Sequence, residues 1–239
     1  MSIIVVDCQT TGLSVHQHQL LGIAMIRCSS EFEVMDSIKL NILYENYFVS
    51  PMALAKNRVD LRDYSGFVTE SDARRAIFKF LGAPEDFDKD TKAKHPRHTL
   101  AGLNVNLDMP FIEKFLTPKA SKALFRYRPF DALGIYDILY RIGVVEEAKS
   151  GAILDLCDSL GVDTEADMPL KKDPMHDAEL ARRACREINR LADRLAVLVT
   201  KHGYSIKGLL KSNKSVAKTR NKDLQEARNK IKEDDDDEE

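Results

Sequence analysis

The chain has 239 residues, 44% of them hydrophobic and 31% charged, with a formal net charge of −2. That length supports a full hydrophobic core without staples, and the small net charge argues against a protein that coats nucleic acid through its overall field, while leaving room for a metal site that receives a phosphate. Four scattered cysteines (Cys8, Cys28, Cys157, Cys185) form no CxxC pair, which speaks against a disulfide framework or thiolate metal centre and for a reducing, cytoplasmic compartment.

No apolar run approaches the ~20 residues of a membrane span, and the first residues enter a β-like run at once, with no basic leader of a signal peptide. Residues 3–6 are predicted as a short buried strand closed by a turn at Thr10-Thr11-Gly12. Leu20–Cys28 and Val34–Leu43 read as the next two strands, and three strands with short links predict an antiparallel meander. Ser71 is the predicted cap of a helix carrying Ala73, Ile77 and Leu81, stopped by Gly82. Residues 83–98 are polar and read as a surface loop, in which His95 and His98 are expected to be solvated.

Residues 99–103 form a strand candidate running into a helix that begins near Asp108. Helical patterns follow at 132–142 and 151–160. The clearest helix is 178–200, where Leu180, Ala184, Ile188, Leu191, Leu195 and Leu198 line one face and Arg182, Arg183, Arg186, Arg190 and Arg194 the other, a face expected to be solvated. Strands first and helices later, alternating in the middle, give a mixed α/β domain over residues 1–202. Beyond it, residues 203–239 read as a flexible tail. Ten Lys/Arg against two acids occupy 201–232, and the last seven residues are all acidic.

Three aspartates stand where a carboxylate has reach. Asp7 follows a buried strand, at the end where open α/β sheets place their sites. Asp108 lies at a strand-to-helix junction and Asp177 at the start of the long helix. Such carboxylates suit Mg²⁺ or Mn²⁺, and two ions can clamp both oxygens of an in-line phosphoryl displacement. Each aspartate alone reads more readily as a turn or cap residue than as a catalytic one.

The surroundings narrow this. Val6-Asp7-Cys8-Gln9-Thr10-Thr11-Gly12-Leu13 resembles the first motif of the DEDD 3′–5′ exonuclease superfamily, a hydrophobic run followed by Asp-x-Glu-Thr-Thr-Gly-Leu. The segment Gly102-Leu103-Asn104-Val105-Asn106-Leu107-Asp108-Met109-Pro110-Phe111-Ile112 resembles the second motif, and Asp177-Ala178-Glu179-Leu180-Ala181 the third. Softer likenesses lie at residues 49–57, similar to a loop that precedes the first helix in proofreading-type members, and at 154–161. The resemblance covers about residues 3–195 in the family's order.

The resemblance implies a ribonuclease-H-like α/β fold, a mixed central sheet with an antiparallel three-strand meander flanked by helices. It implies removal of nucleotides from the 3′ end of a single strand, DNA sooner than RNA, with two divalent ions (Mg²⁺ or Mn²⁺). A DNA polymerase or other replication protein is an implied partner, and no membrane. Carried over by position, Asp7, Asp108 and Asp177 are metal ligands, and Thr10, Thr11 and Asn104 approach the terminal nucleotide or brace the site.

Two positions depart from the pattern. Gln9 stands for the family's second carboxylate, and an amide oxygen brings no charge to a cation. Lys172 stands for the histidine that activates water, and a protonated lysine does not accept water's proton. An alternative alignment uses His176 for that histidine but then sets Ala181 in place of the last aspartate. These departures leave a second reading open, an inactive exonuclease-fold protein kept for binding nucleic acid or protein.

Overall fold

Near-continuous apolar runs build the strands at residues 3–10 and 20–28, alternation builds the one at 34–43, and the whole sheet grows from them. In the computed structural model, residues 2–57, 65–150, 152–164 and 173–201 are described, without the side chains of residues 199 and 200. The antiparallel meander consists of β1 (Ile3–Thr10), β2 (Leu20–Cys28) and β3 (Val34–Leu43). Then come α1 (Pro51–Asn57), β4 (Phe67–Thr69), α2 (Glu70–Phe80), β5 (Thr99–Gly102), α3 (Val105–Leu116) and α4 (Pro118–Leu124). The chain continues through β6 (Phe130–Asp131), α5 (Ala132–Arg141), α6 (Ile153–Ser159) and α7 (Pro174–Lys201). The strands lie in the order β4-β3-β2-β1-β5-β6, with β5 parallel to β1 and β6 parallel to β5. This is the mixed α/β architecture expected from the sequence. The chain divides into two units between Asn189 and Arg190.

Residues of β1 alternate between the two faces of the sheet. Ile4 and Val6 join a core with Ile77, Phe78 and Leu81 of α2 and its C-cap, and with Phe111, Ile112 and Phe115 of α3. Small residues of α7 (Ala178, Ala181, Ala184, Cys185) are buried, and their size lets the helix sit close to its support. Gly102 is forced by the same crowding, since a Cβ there would stand 2.9 Å from the Val6 carbonyl oxygen.

Several boundaries differ from expectation, each for a local reason. The first strand runs on through Thr10, because its pairing with β2 continues to Gln9 opposite Gly22 and, past a bulge, Thr10 opposite Leu20. Thr69 caps α2 in place of Ser71, accepting from the Asp72 amide at 3.2 Å. Residues 51–57, read as loop, form about two turns of helix. α3 starts at Val105, three residues before Asp108, and α7 starts at Pro174 instead of 178. Asp173 supplies that cap by accepting from the Met175 amide at 2.8 Å, and proline suits the first helical position. The short elements β4, β6 and α4 were invisible to periodicity because two to seven residues carry too little pattern. Residues 203–239 lie outside the described residues. Among the described residues, no helix is long and apolar enough to cross a membrane.

His98 corrects the reading of a solvated loop histidine. It is 2% exposed, with Nε2 donating to the Leu81 carbonyl at 2.9 Å and Nδ1 accepting from the Ser2 hydroxyl at 2.7 Å. The Leu81 carbonyl can only accept, which fixes a proton on Nε2. Burial pushes its pKa down, against the pull of the Leu81 carbonyl, and the charges of Arg27 and His95 add to the lowering. A histidine whose folded-state pKa is depressed leaves stability intact at higher pH. Below about pH 6.5 the unfolded chain takes up a proton that the native state refuses. Stability should therefore fall below that pH by up to about 1.4 kcal/mol per pH unit. Thermal midpoints measured between pH 5 and 8 should show this decline, and it should be missing in His98→Gln.

Candidate active site

Asp7 and Gln9 are two residues apart on β1 and so project from one face of the sheet. Across the strands, Asp7 pairs with Ala24, which pairs with Lys39. Gln9 pairs with Gly22, which pairs with Asn41. Asp7 is half-buried and Gln9 only 4% exposed. The Gln9 side chain lies over Gly22, where an added Cβ would meet its Oε1 at 3.5 Å and Asn41 Oδ1 at 3.2 Å.

Cys8, between them, faces the other way. Its thiol is hydrogen-bonded to the Asp108 carboxyl, and it titrates well above the usual thiol range. Burial is the main cause, followed by the negative charges of Asp108 and Asp7 and then by that hydrogen bond. One thiol thus senses both carboxylates, which brings the first turn of α3 to the end of β1.

The N-terminus of α7 is tied to the same rows. Lys39 bridges to Asp173 at 2.6 Å, and the Asp177 amide bonds the Asp173 carbonyl at 3.1 Å. Asp177 therefore lies one turn along the helix from a residue anchored beside the Asp7–Ala24–Lys39 row. Burial pushes the Asp173 carboxyl up, but the Lys39 ammonium, the Met175 amide and the charge of His176 outweigh it and leave it below the ordinary carboxylate range. Lys172 lies outside the described residues.

The turn after β1 is held from three sides. Thr10 Oγ1 donates to the Gly12 carbonyl at 2.8 Å, and the Thr10 carbonyl accepts from Asn57 Nδ2 at 2.8 Å. Thr11 is fully buried. Its hydroxyl accepts from the Gln19 amide at 2.9 Å and its carbonyl from the Ser50 amide at 2.7 Å. These contacts direct both threonines into the turn itself. The His18 ring covers Gly12, 2.3 Å from where a Cβ would stand, so a larger residue there would have to displace the ring. Lys114 Nζ donates to the carbonyls of Val15 at 2.7 Å and His18 at 2.9 Å, fastening the turn to α3.

Asn104 adopts a left-handed conformation (φ 58°) as it caps α3, one that asparagine tolerates better than most side chains. Its amide donates to Asp131 Oδ1 at 3.0 Å, while Asp131 Oδ2 accepts from Asn106 Nδ2 at 2.6 Å. Asp131 also caps α5 through the Leu133 amide at 3.2 Å. One carboxylate thus sets the start of α3, the helix that carries Asp108. Asp131→Ala removes three acceptor contacts and is expected to cost about 2 kcal/mol, within the range of a lost cap and a lost charged hydrogen bond. Denaturant unfolding checks that, with Asp131→Asn recovering part of the loss.

Sequence reasoning missed Cys8, Lys39, Asp131 and Asp173. Asp131 and Asp173 were readable as cap residues ahead of helical patterns. Lys39 had no local signal, since only the pairing of three strands brings it into line with Asp7.

The donors have the right chemistry for a hard cation, oxygen from Asp7, Asp108, Asp177 and the Gln9 amide. Among the described residues, however, no three His, Cys, Asp or Glu side chains converge as ligands of one ion.

No family model matches the chain, and no curated protein matches it by sequence. Solved structures do. Exonuclease I is similar at 17% identity and a TM-score of 0.63 over 88% of this chain and 45% of that one. E. coli exonuclease I in complex with a dA16 oligonucleotide is similar at 16% identity and a TM-score of 0.65, over 84% and 43%. The zinc-bound form of the E. coli enzyme with single-stranded DNA is similar at 15% identity and a TM-score of 0.63, over 84% and 43%. This chain spans less than half the length of those proteins, and what it shares with them is the exonuclease fold.

Proposed function

We propose that the chain is a metal-dependent 3′–5′ exonuclease of single-stranded nucleic acid, DNA sooner than RNA, with reduced activity. The single observation that supports it best is the Cys8 thiol under the charges of both Asp7 and Asp108, because carboxylates gathered at the end of a central strand favour a cation. Asp7, Asp108 and Asp177 hold the ions, Mg²⁺ or Mn²⁺, and Gln9 is a weak fourth ligand. Bound there, such an ion neutralises charge developing on a phosphodiester. The chain's own part is positional. Thr10, Thr11 and Asn104 brace the turn and helix start against which a terminal nucleotide rests. The Lys39–Asp173 pair fixes the start of α7, and Lys172 offers a cation to a phosphate. A polymerase or other replication protein is the partner this activity suggests.

A second reading, a fold retained for binding without hydrolysis, draws support from the buried, uncharged Gln9 and from the lack of a converged ligand trio among the described residues. Titration with Mn²⁺, followed by the paramagnetic signal of the free ion, separates the two. The nuclease reading expects saturable binding that weakens at least tenfold in Asp108→Ala. No saturable binding in the intact chain would leave the binding-only reading.

A further inference from the structure

The β5–β6 edge of the sheet carries a second charged surface, at the opposite end from Asp7. Residues 92–99 and 118–130 together hold seven lysines and arginines and no acid, in a chain of net charge −2. The fold brings these two segments together. The Arg126 amide donates to the His98 carbonyl at 2.8 Å and the His98 amide to the Leu124 carbonyl at 2.9 Å. Arg97 Nη2 donates to the Phe125 carbonyl at 2.9 Å, which sets its guanidinium beside Arg126-Tyr127-Arg128.

Between them lies a groove of about 600 Å³ lined by Arg97, Thr99, Arg126, Tyr127, Arg128 and Phe130. Three features mark it as more than a solvated face. Tyr127 is 91% exposed, a whole aromatic ring offered to solvent between two arginines. Neither Arg126 nor Arg128 is paired with a carboxylate among the described residues. Thr99 Oγ1, in the lining, is buried with no hydrogen-bond partner among them. The groove begins where Thr99 pairs with Ile3, and Asp7 stands four residues further along β1, roughly 13 Å at ~3.3 Å per residue.

We infer that this groove binds single-stranded nucleic acid, with Arg97, Arg126 and Arg128 on backbone phosphates and Tyr127 stacked on a base. Cations alone would suit any polyanion, including an acidic peptide. A bare ring set among arginines suits a planar base with phosphates on either side, and stacking requires a base freed from a duplex. The strand is gripped away from its 3′ end, so the contact needs neither an end nor a metal. The inference takes its class of ligand from the nuclease reading but does not depend on hydrolysis.

The test uses the full chain in EDTA and a fluorescent circular single-stranded oligonucleotide, which has no 3′ end. Binding is followed by anisotropy over a series of salt concentrations. Tyr127→Ala should weaken binding about tenfold, as the loss of one stacked base does, and Tyr127→Phe should restore it. The double variant Arg126→Ala/Arg128→Ala should flatten the slope of log K against log salt by about 1.4, since each phosphate contact on a single strand contributes about 0.7. All variants keep the basic 201–232 stretch, so differences among them report the groove. These residues are exposed, and unchanged melting temperatures will exclude unfolding as the cause.

Equal affinity and equal salt slope in parent and variants would overturn the inference. So would a loss in the arginine variant alone, with Tyr127→Ala binding like the parent, because that pattern describes a surface for acidic protein. If a linear strand is never shortened while the circle is held through Tyr127, the nuclease reading fails and the groove stands.

Discussion

Gln9→Glu should raise metal-dependent nucleotide release roughly thirtyfold. The residue lies on the face of β1 that carries Asp7, two positions further along, and its amide can touch a cation without countering its charge. A unit charge about 4 Å from a cation is worth about 4 kcal/mol at the dielectric of a protein surface, and half of that is roughly thirtyfold in binding. The same substitution places a further carboxylate, at a position only 4% exposed, two residues from Asp7 on the same face of β1. Without metal, like charges and burial both oppose its ionisation, so the variant should melt below the parent in EDTA. Mn²⁺ should then lift its melting temperature by more than it lifts the parent's. Nucleotide release and paired melts check both halves. A variant that releases no more and gains no extra metal stabilisation would remove Gln9 as the weak point of the site.

Glu179→Ala should destabilise the fold by about 3 kcal/mol. Arg182 is 7% exposed, although its place on an arginine-rich helix face predicted solvation. Its Nη1 donates to the Phe32 carbonyl at 2.6 Å, and its Nε and Nη2 make a two-point contact with Glu179, each at 2.7 Å. Arg183 adds a bond to the same carboxylate at 3.0 Å. Removing Glu179 leaves a buried guanidinium without its counter-charge, an error worth about 3 kcal/mol. For a chain of this size that is roughly 6–12 °C in melting temperature.

Burial pushes the Glu179 carboxyl up, but bonds from Arg182 and Arg183 more than reverse it, so it titrates below the ordinary range. The pair's stability is thus present above about pH 4.3 and lost as the pH falls through the depressed folded-state value. The variant should show a shallower acid limb than the parent, and a melting series from pH 3 to 7 reads this directly.

The sheet was legible because its strands are long enough to show their pattern. Nine residues from Leu20 carry a near-continuous apolar run and ten from Val34 an alternating one, and two-residue β6 is too short for either. The start of α7 was misplaced by four residues because apolar spacing begins only at Ala178, whereas the helix begins where Asp173 and Pro174 satisfy its end. Asp7, Gln9 and Asp108 could be picked out by their neighbours in sequence. Cys8 and Lys39 could not, since their importance comes from long-range pairing, Cys8 with α3 and Lys39 with Asp173. Arg182 shows the converse limit. Helical spacing alone put it on the solvated side, and the left-handed turn at Phe32 (φ 59°) turned a carbonyl toward it.

The most direct test is single-turnover digestion of a 5′-labelled single strand in Mn²⁺, run for the intact chain beside Asp7→Ala. The nuclease reading predicts a ladder of 5′-labelled fragments shortened stepwise from the 3′ end, abolished by EDTA and reduced at least a hundredfold by Asp7→Ala. An intact strand throughout, or a ladder that Asp7→Ala leaves unchanged, would contradict it.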